Sequence, residues 1–203
     1  PVDPNIVPVI SKIVSTCDDR GYGFAVDIKQ ARTLFGVESN FVEKNPSLFV
    51  ACESSSNPPS EFNDPIKVLT NDKAGTAGRA KWFWTERETL PKGHEFIGKW
   101  QFAVGSAQFA DQRGQIQKGM IIAAGEAFGR SKVSLGAFDT EEEVRNFANL
   151  MNTKLFTRLH RETLAGGLTN LCAFVPDLGD YTSSNPDIDW DEPLDQQLYD
   201  LFG

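Results

Sequence analysis

The chain has 203 residues, a net charge of −8, 40% hydrophobic and 24% charged residues. These values fit an ordinary soluble globular protein with room for one large domain. No apolar run approaches the roughly 18–20 residues that span a bilayer, which leaves no membrane segment and no membrane partner.

In chain order, Ile6, Val7, Ile10 and Ile13 recur at helical spacing, and Cys17 extends the stripe up to Gly21-Tyr22-Gly23. Asp27 is a candidate cap for a second short helix, Ile28 to Phe35, stopped by Gly36. From Ser47 the pattern changes to short strand-like runs: Leu48–Cys52, Ile66–Leu69, Ala80–Trp84, Trp100–Val104, Gly119–Ala123 and Val133–Phe138. Between the first two lies Ser54-Ser55-Ser56-Asn57-Pro58-Pro59-Ser60, which spells most of the Asn-Pro-Pro-aromatic loop of DNA amino-methyltransferases. Ser60 supplies no ring to stack on a flipped base, and the prolines preset a turn, so a turn is expected.

The next element opens at Asp139-Thr140-Glu141-Glu142-Glu143, where a capping side chain precedes three glutamates suited to a helix N-terminus. Val144, Phe147, Ala148, Met151, Leu155, Phe156 and Leu159 continue it as one long helix or two abutting ones near 140–164. Leu171–Val175 is a further strand candidate, and Leu194–Phe202 a terminal helix after an acidic, turn-rich stretch. The expected class is α+β: a mixed, mostly antiparallel β-sheet core with flanking helices. The alternation of a doubly wound Rossmann methyltransferase core is absent.

Catalytic constellations are hard to find. Neither Phe102–Ser106 nor Ala124–Gly129 has the paired-glycine spacing of a cofactor loop. Asp187, Asp189 and Asp191 mimic the start of a calcium loop, but Glu192 and Leu198 occupy the positions that need Gly and a bidentate Glu. No Gly-x-Ser-x-Gly elbow occurs. Cys17, Cys52 and Cys172 lack C-x-x-C spacing, which speaks against a disulfide framework or zinc knuckle and fits a reducing compartment. His94 and His160 are the two histidines, too few for a His-rich metal site, and His160 is expected to be structural.

Charge is unevenly spread. Residues 73–138 carry ten basic and five acidic side chains, whereas both flanks are acidic. That middle interleaves cations with aromatics and amides: Arg79, Lys81, Trp82, Trp84, Arg87, Lys99, Trp100, Gln101, Gln108, Gln112, Arg113, Gln115, Gln117 and Lys118. Arg and Lys suit phosphates and guanine, and Gln can pair with adenine's major-groove edge. Asp111–Lys118 is the best candidate loop, and Lys154 and Arg158 are candidate phosphate contacts on the long helix. For the tryptophans, core packing competes with base contact.

Three segments carry a resemblance. Leu34-Phe35-Gly36-Val37-Glu38-Ser39-Asn40-Phe41 is similar to a "PFGI-x-TNF" stretch. Phe138-Asp139-Thr140-Glu141-Glu142-Glu143 through Asn152–Arg158 is similar to "F-D-[ST]-x-E-E-A … Y-x-x-T-K-F-x-R". Phe174-Val175-Pro176-Asp177, Asp187-Ile188-Asp189-Trp190 and Asp195–Tyr199 are similar to a closing "FVP-x-x-D … DIDW … ID-x-QLY". Together they resemble the part that follows the catalytic core in adenine-specific DNA methyltransferases of the Eco57I restriction-modification type, taken to be the target-recognition domain. Leu34, Glu38 and Leu201-Phe202 depart from the family pattern.

The resemblance implies a cytoplasmic, non-catalytic fragment of a longer bacterial chain, with double-stranded DNA as its partner. The start at Pro1-Val2-Asp3-Pro4, without Met or leader, reads the same way. The chemistry, S-adenosylmethionine and any fused nuclease would belong to an N-terminal catalytic domain of the same polypeptide; this fragment would hold no cofactor and no metal. Residues 1–203 would form a single domain on which the acidic tail 177–203 packs. Ser39 and Asn40 join the DNA-contact candidates, in competition with a plain turn. An alternative is a protein-interaction or dimerisation module of the same enzyme, with that tail as the adhesive surface.

Overall fold

A computed structural model describes residues 4–52, 57–75, 80–105, 119–163 and 173–203, and for 160–163 the backbone alone. Six α-helices and nine strands lie among the described residues. The class is α+β, with mixed and mostly antiparallel sheets and no Rossmann core. Among these residues no helix is long and apolar enough to cross a membrane.

Two sheets stack beneath a layer of helices. Strands β5 (Trp100–Gly105), β6 (Met120–Ile122) and β8 (Lys132–Phe138) form an antiparallel sheet in the order β6-β5-β8. Strands β2 (Val50–Ala51), β3 (Pro65–Thr70), β4 (Lys81–Glu86) and β7 (Glu126–Phe128) form the other, in the order β2-β4-β3-β7. Alternation along β5 decides the layering. Phe102 and Val104 join the core under the helices, and Ala103 packs with Ile122, Ile66, Val68 and Ala127 between the sheets. A separate pair, β1 (Gly23–Phe24) with β9 (Pro176–Asp177), ties the N-terminal region to the tail.

The helical layer comprises α1 (Val7–Arg20), α4 (Glu141–Met151), α5 (Lys154–Thr163) and α6 (Leu194–Phe202). Helix α4 starts from a capping box in which Thr140 Oγ1 accepts from Glu143 N at 3.2 Å and Glu143 accepts from Thr140 N at 2.9 Å. Its Phe147 is wholly buried among Phe102, Phe138 and Tyr181, with ring centroids 5.0–5.9 Å apart. Tail residues Tyr181, Ile188, Leu198 and Phe202 are buried in this same core. Arg20 and Tyr22 both donate to Asp187, closing the tail onto the end of α1.

Several expectations need narrowing or correction. Of the two forms expected near 140–164, one long helix or two abutting ones, the structure has the second, with the join at Asn152-Thr153. Asn152 Nδ2 donates to the Ala148 carbonyl at 2.7 Å and Thr153 Oγ1 to the Leu150 carbonyl at 2.8 Å, capturing the acceptors the next turn would have used. The helix expected over Ile28–Phe35 is instead α2 (Ala25–Ile28). Beyond it the chain extends, because Gln30 N donates to the Ser134 carbonyl at 2.9 Å. That carbonyl sits at a bulge in β8, where Leu135 stands between the residues paired with Phe102 and Ala103. The strand expected over Leu48–Cys52 narrows to β2 because Pro46–Leu48 turns as a 3-10 helix, although Cys52 N still reaches the Trp82 carbonyl at 2.9 Å. Strand β7, parallel to β3, has no counterpart among the expected strands.

Asn57–Ser60 lies between β2 and β3, and Phe62 N donates to the Pro59 carbonyl at 3.1 Å, which makes the Asn-Pro-Pro stretch part of a turn between two strands. Ser54–Ser56 lie outside the described residues.

Candidate functional site

Strand direction sorts the candidate residues into groups. Strand β3 ends at Thr70, opposite Lys81 at the start of β4. Strand β7 runs parallel to β3 and ends at Phe128, opposite Leu69. The turn Gly129–Ser131 leads straight into Lys132, which pairs with Gly105 at the end of β5. One pole therefore gathers the β3–β4 connection, the β7–β8 turn and the two residues, Gly105 and Gly119, that flank 106–118. The segment Val37–Asn40 is held at the same pole. Arg130 N donates to the Val37 carbonyl at 2.9 Å, and Arg130 pairs with Glu38 at 2.7 Å. A short helix, α3 (Phe41–Lys44), follows, and its Glu43 accepts from Ala74 N at 3.2 Å.

This pole holds Ser39, Asn40 and Lys81. Ser39 and Asn40 are half-buried in the turn before α3; Asn40 occupies its N-cap position without a side-chain cap bond. Lys81 is exposed and pairs with Asp72 at 3.1 Å, and that hydrogen bond holds the Asp72 carboxyl below its ordinary range. Water screens a pair this exposed, so it does not keep the lysine from a competing phosphate. Arg79, Gln112, Arg113, Gln115 and Lys118 lie outside the described residues, as do Gln108 and Gln117.

Other candidates lie elsewhere. Arg87 follows β4 at the opposite pole, roughly 20 Å from Lys81 by strand rise, and pairs with Asp64 at 2.6 Å. Lys99 is also there, paired with Asp139. Lys154 and Arg158 are exposed on α5, in the helical layer; Lys154 reaches Asp195 at 3.7 Å. Gln101 is withdrawn from any groove: it is wholly buried between the sheets, with Nε2 3.4 Å from the Phe96 carbonyl. Its pairing with Ile122 puts it on the inter-sheet face of β5, which the amide's polarity did not foretell.

Trp84 is half-buried in mid-strand, with Lys67 Nζ 5.0 Å from its ring centroid. Cross-strand partners share a face, so Lys67, Trp84 and Val50 stand together on the outer face of the four-stranded sheet. Cys52 is close enough that, although burial raises its thiol pKa, Lys67 opposes the rise.

On the tail side, Glu142, Asp187, Asp189 and Asp191 line a groove of about 520 Å³ with Trp190 and Gln197. Asp187 is engaged by Arg20 and Tyr22, and Asp189 bonds Gln197 through both its N–H and its carbonyl at 2.7 and 2.8 Å. These aspartates organise a turn, and the groove's charge would repel phosphate. Among the described residues no group of three or more His, Cys, Asp or Glu could hold a metal. His94 Nε2 lies 3.0 Å from the Leu90 carbonyl, a structural contact; the side chain of His160 lies outside the described residues.

Sequence reasoning passed over Arg130, Ser131 and Lys132, which stand at the centre of the gathered pole. Their signal was present as Gly129-Arg130-Ser131-Lys132, a basic and hydroxyl-bearing turn between two strands. Compared with models of protein families, with curated proteins and with solved structures, the chain matches none.

Proposed function

We propose that the chain is a DNA target-recognition domain of a type II restriction-modification adenine-N6 methyltransferase, without catalysis of its own. An N-terminal catalytic domain of the same polypeptide would bind S-adenosylmethionine and methylate the base. The observation that carries this reading is the gathered pole. Among the described residues, Lys73, Lys81, Arg130 and Lys132 meet there with Glu38, Glu43 and Asp72, a positive balance in a chain of net charge −8. Ser39 and Asn40 add polar groups beside them. Phosphate contacts would fix orientation, and amide and hydroxyl side chains would read base edges.

The test is selection from a randomised duplex library, followed by anisotropy titrations of the enriched sequence against a scrambled one at several salt concentrations. A preference for one sequence, with affinity that falls steeply as salt rises, is the expected result. Tight binding of S-adenosylmethionine by this chain alone would overturn the division of labour.

A second reading is a protein-interaction or dimerisation module. It is favoured by Val50, 41% exposed in the edge strand β2 beside Trp84, and by Leu48, 44% exposed in the 3-10 turn before that strand. If the chain binds no duplex at low salt but self-associates in sedimentation velocity, and Val50→Lys abolishes that, this reading replaces the first.

A further inference from the structure

The turn between β7 and β8 is a small, rigidly framed cationic site. Its backbone is held at three points: Gly129 N to the Leu69 carbonyl at 2.9 Å, Arg130 N to the Val37 carbonyl at 2.9 Å, and Lys132 N to the Gly129 carbonyl at 3.1 Å. Arg130 on this frame pairs with Glu38, but the two side chains after it have no such partner among the described residues. Among the described residues, the buried Ser131 Oγ makes no hydrogen bond, and neither does Asn71 Oδ1 beside the end of β3. Lys132 is half-buried, on the face of β8 opposite Val133, and no carboxylate among the described residues pairs with it. Burial without compensation pushes its ammonium pKa down. Lys81, Arg87, Lys99 and Lys154 each have a carboxylate, whereas Lys132 is half-buried without one among the described residues.

Native proteins satisfy buried hydroxyls and buried cations, and the partner can come from a ligand. An anion with several acceptor oxygens suits the Lys132 ammonium and the planar fork of Arg130 on the same turn, and the Ser131 hydroxyl would reach it by rotating out of its buried position. We propose that Ser131 and Lys132, assisted by Arg130, bind one backbone phosphate of duplex DNA; this rests on the target-recognition reading above. Glu38 then acts as a brake, because its carboxylate competes for Arg130.

The experiment is anisotropy of a labelled duplex with the full chain, between 50 and 200 mM salt. A duplex of arbitrary sequence suffices, because phosphate contacts are independent of sequence. Relative to wild type, Lys132→Met is expected to weaken binding on the order of tenfold. It should also reduce the slope of log affinity against log salt by about 0.9, one counterion fewer. Ser131→Ala is expected to weaken binding at an unchanged slope, and Glu38→Gln to strengthen it. Lys132→Met should keep or raise the melting temperature, since it removes a desolvated charge; a residue needed only for folding would lower it. Arg145→Gln, on α4 in the helical layer, is the control for loss of one unit of charge.

If wild type binds and Lys132→Met differs from it no more than Arg145→Gln does, the inference is wrong while the DNA reading stands. If wild type binds no duplex at the lowest salt, the DNA reading falls and takes the inference with it.

Discussion

Gly129 sets how closely the β7–β8 turn approaches β3. A Cβ added there would press into Thr70 Oγ1 and lie 3.0 Å from Thr70 Cβ and 3.2 Å from the Val37 carbonyl oxygen, against 3.4 Å for ordinary contact. Thr70 is 2% exposed and cannot swing into solvent, and the carbonyl opposite is backbone held by Arg130 N. Gly129→Ala must therefore move the turn. Overpacking of a tight site costs about 1–3 kcal/mol, and with two walls closed we expect about 2 kcal/mol. For a chain of this length that is a melting-temperature drop of roughly 4–8 °C. Urea denaturation followed by far-UV circular dichroism measures it. Thr70→Ala in the same chain removes the first obstruction, so the double variant should lose less than the sum of the single losses, by about 1 kcal/mol. DNA affinity should fall with Gly129→Ala and recover in the double variant, since the turn carries Arg130, Ser131 and Lys132. A Gly129→Ala protein within about 0.5 kcal/mol of wild type would refute the close approach and the rigid frame built on it.

Cys17 is wholly buried, and its thiol is pushed up to about 11 from an ordinary value of 9.0, chiefly by burial and secondarily by Asp18. The associated stability is complete below pH 9 and is lost as pH rises towards 11, up to about 2–3 kcal/mol. Urea midpoints at pH 8 and 10.5 should fall less for Cys17→Ala than for wild type, and parallel falls would remove Cys17 as the cause. Tyr22 is raised in the same direction, by burial first and by its hydrogen bond to Asp187 second. In Asp187→Asn a spectrophotometric titration should find that phenol shifted part of the way back towards its ordinary range, with a stability loss of about 1–3 kcal/mol; an unshifted titration contradicts the contact. Thr140→Ala removes one half of the capping box at α4 and should cost about 0.5–2 kcal/mol in the same urea assay.

Much of the fold was legible because its causes are local. Helix α1 followed from an apolar stripe ended by Gly21, whose φ of 72° is the left-handed C-cap conformation. Strands β3, β4, β5 and β8 followed from short runs of β-branched and aromatic residues, and α4 from a cap whose hydrogen bonds lie within four residues of one another. One long helix and two abutting ones stayed open in the sequence, since apolar spacing runs on through Asn152-Thr153 and only side-chain capture of two carbonyls interrupts the helix there. The helix boundary at Ile28 was not legible, being decided by a carbonyl on a bulged strand about a hundred residues further along.

The candidate site divides in the same way. Residue types alone marked Lys81, Ser39, Asn40 and Gln101 as polar candidates, and burial between the sheets removes Gln101 from that set. Polarity is a property of the side chain; exposure depends on which face of which strand lies against a second sheet. The three-residue strand β7 is too short to leave a pattern of its own, yet its parallel pairing with β3 brings Arg130, Ser131 and Lys132 beside the β3–β4 connection. Periodicity and caps act over a few residues and are written in the chain. Register and layer order come from burial between segments far apart in sequence, so the tertiary structure alone decided which polar residues share a pole.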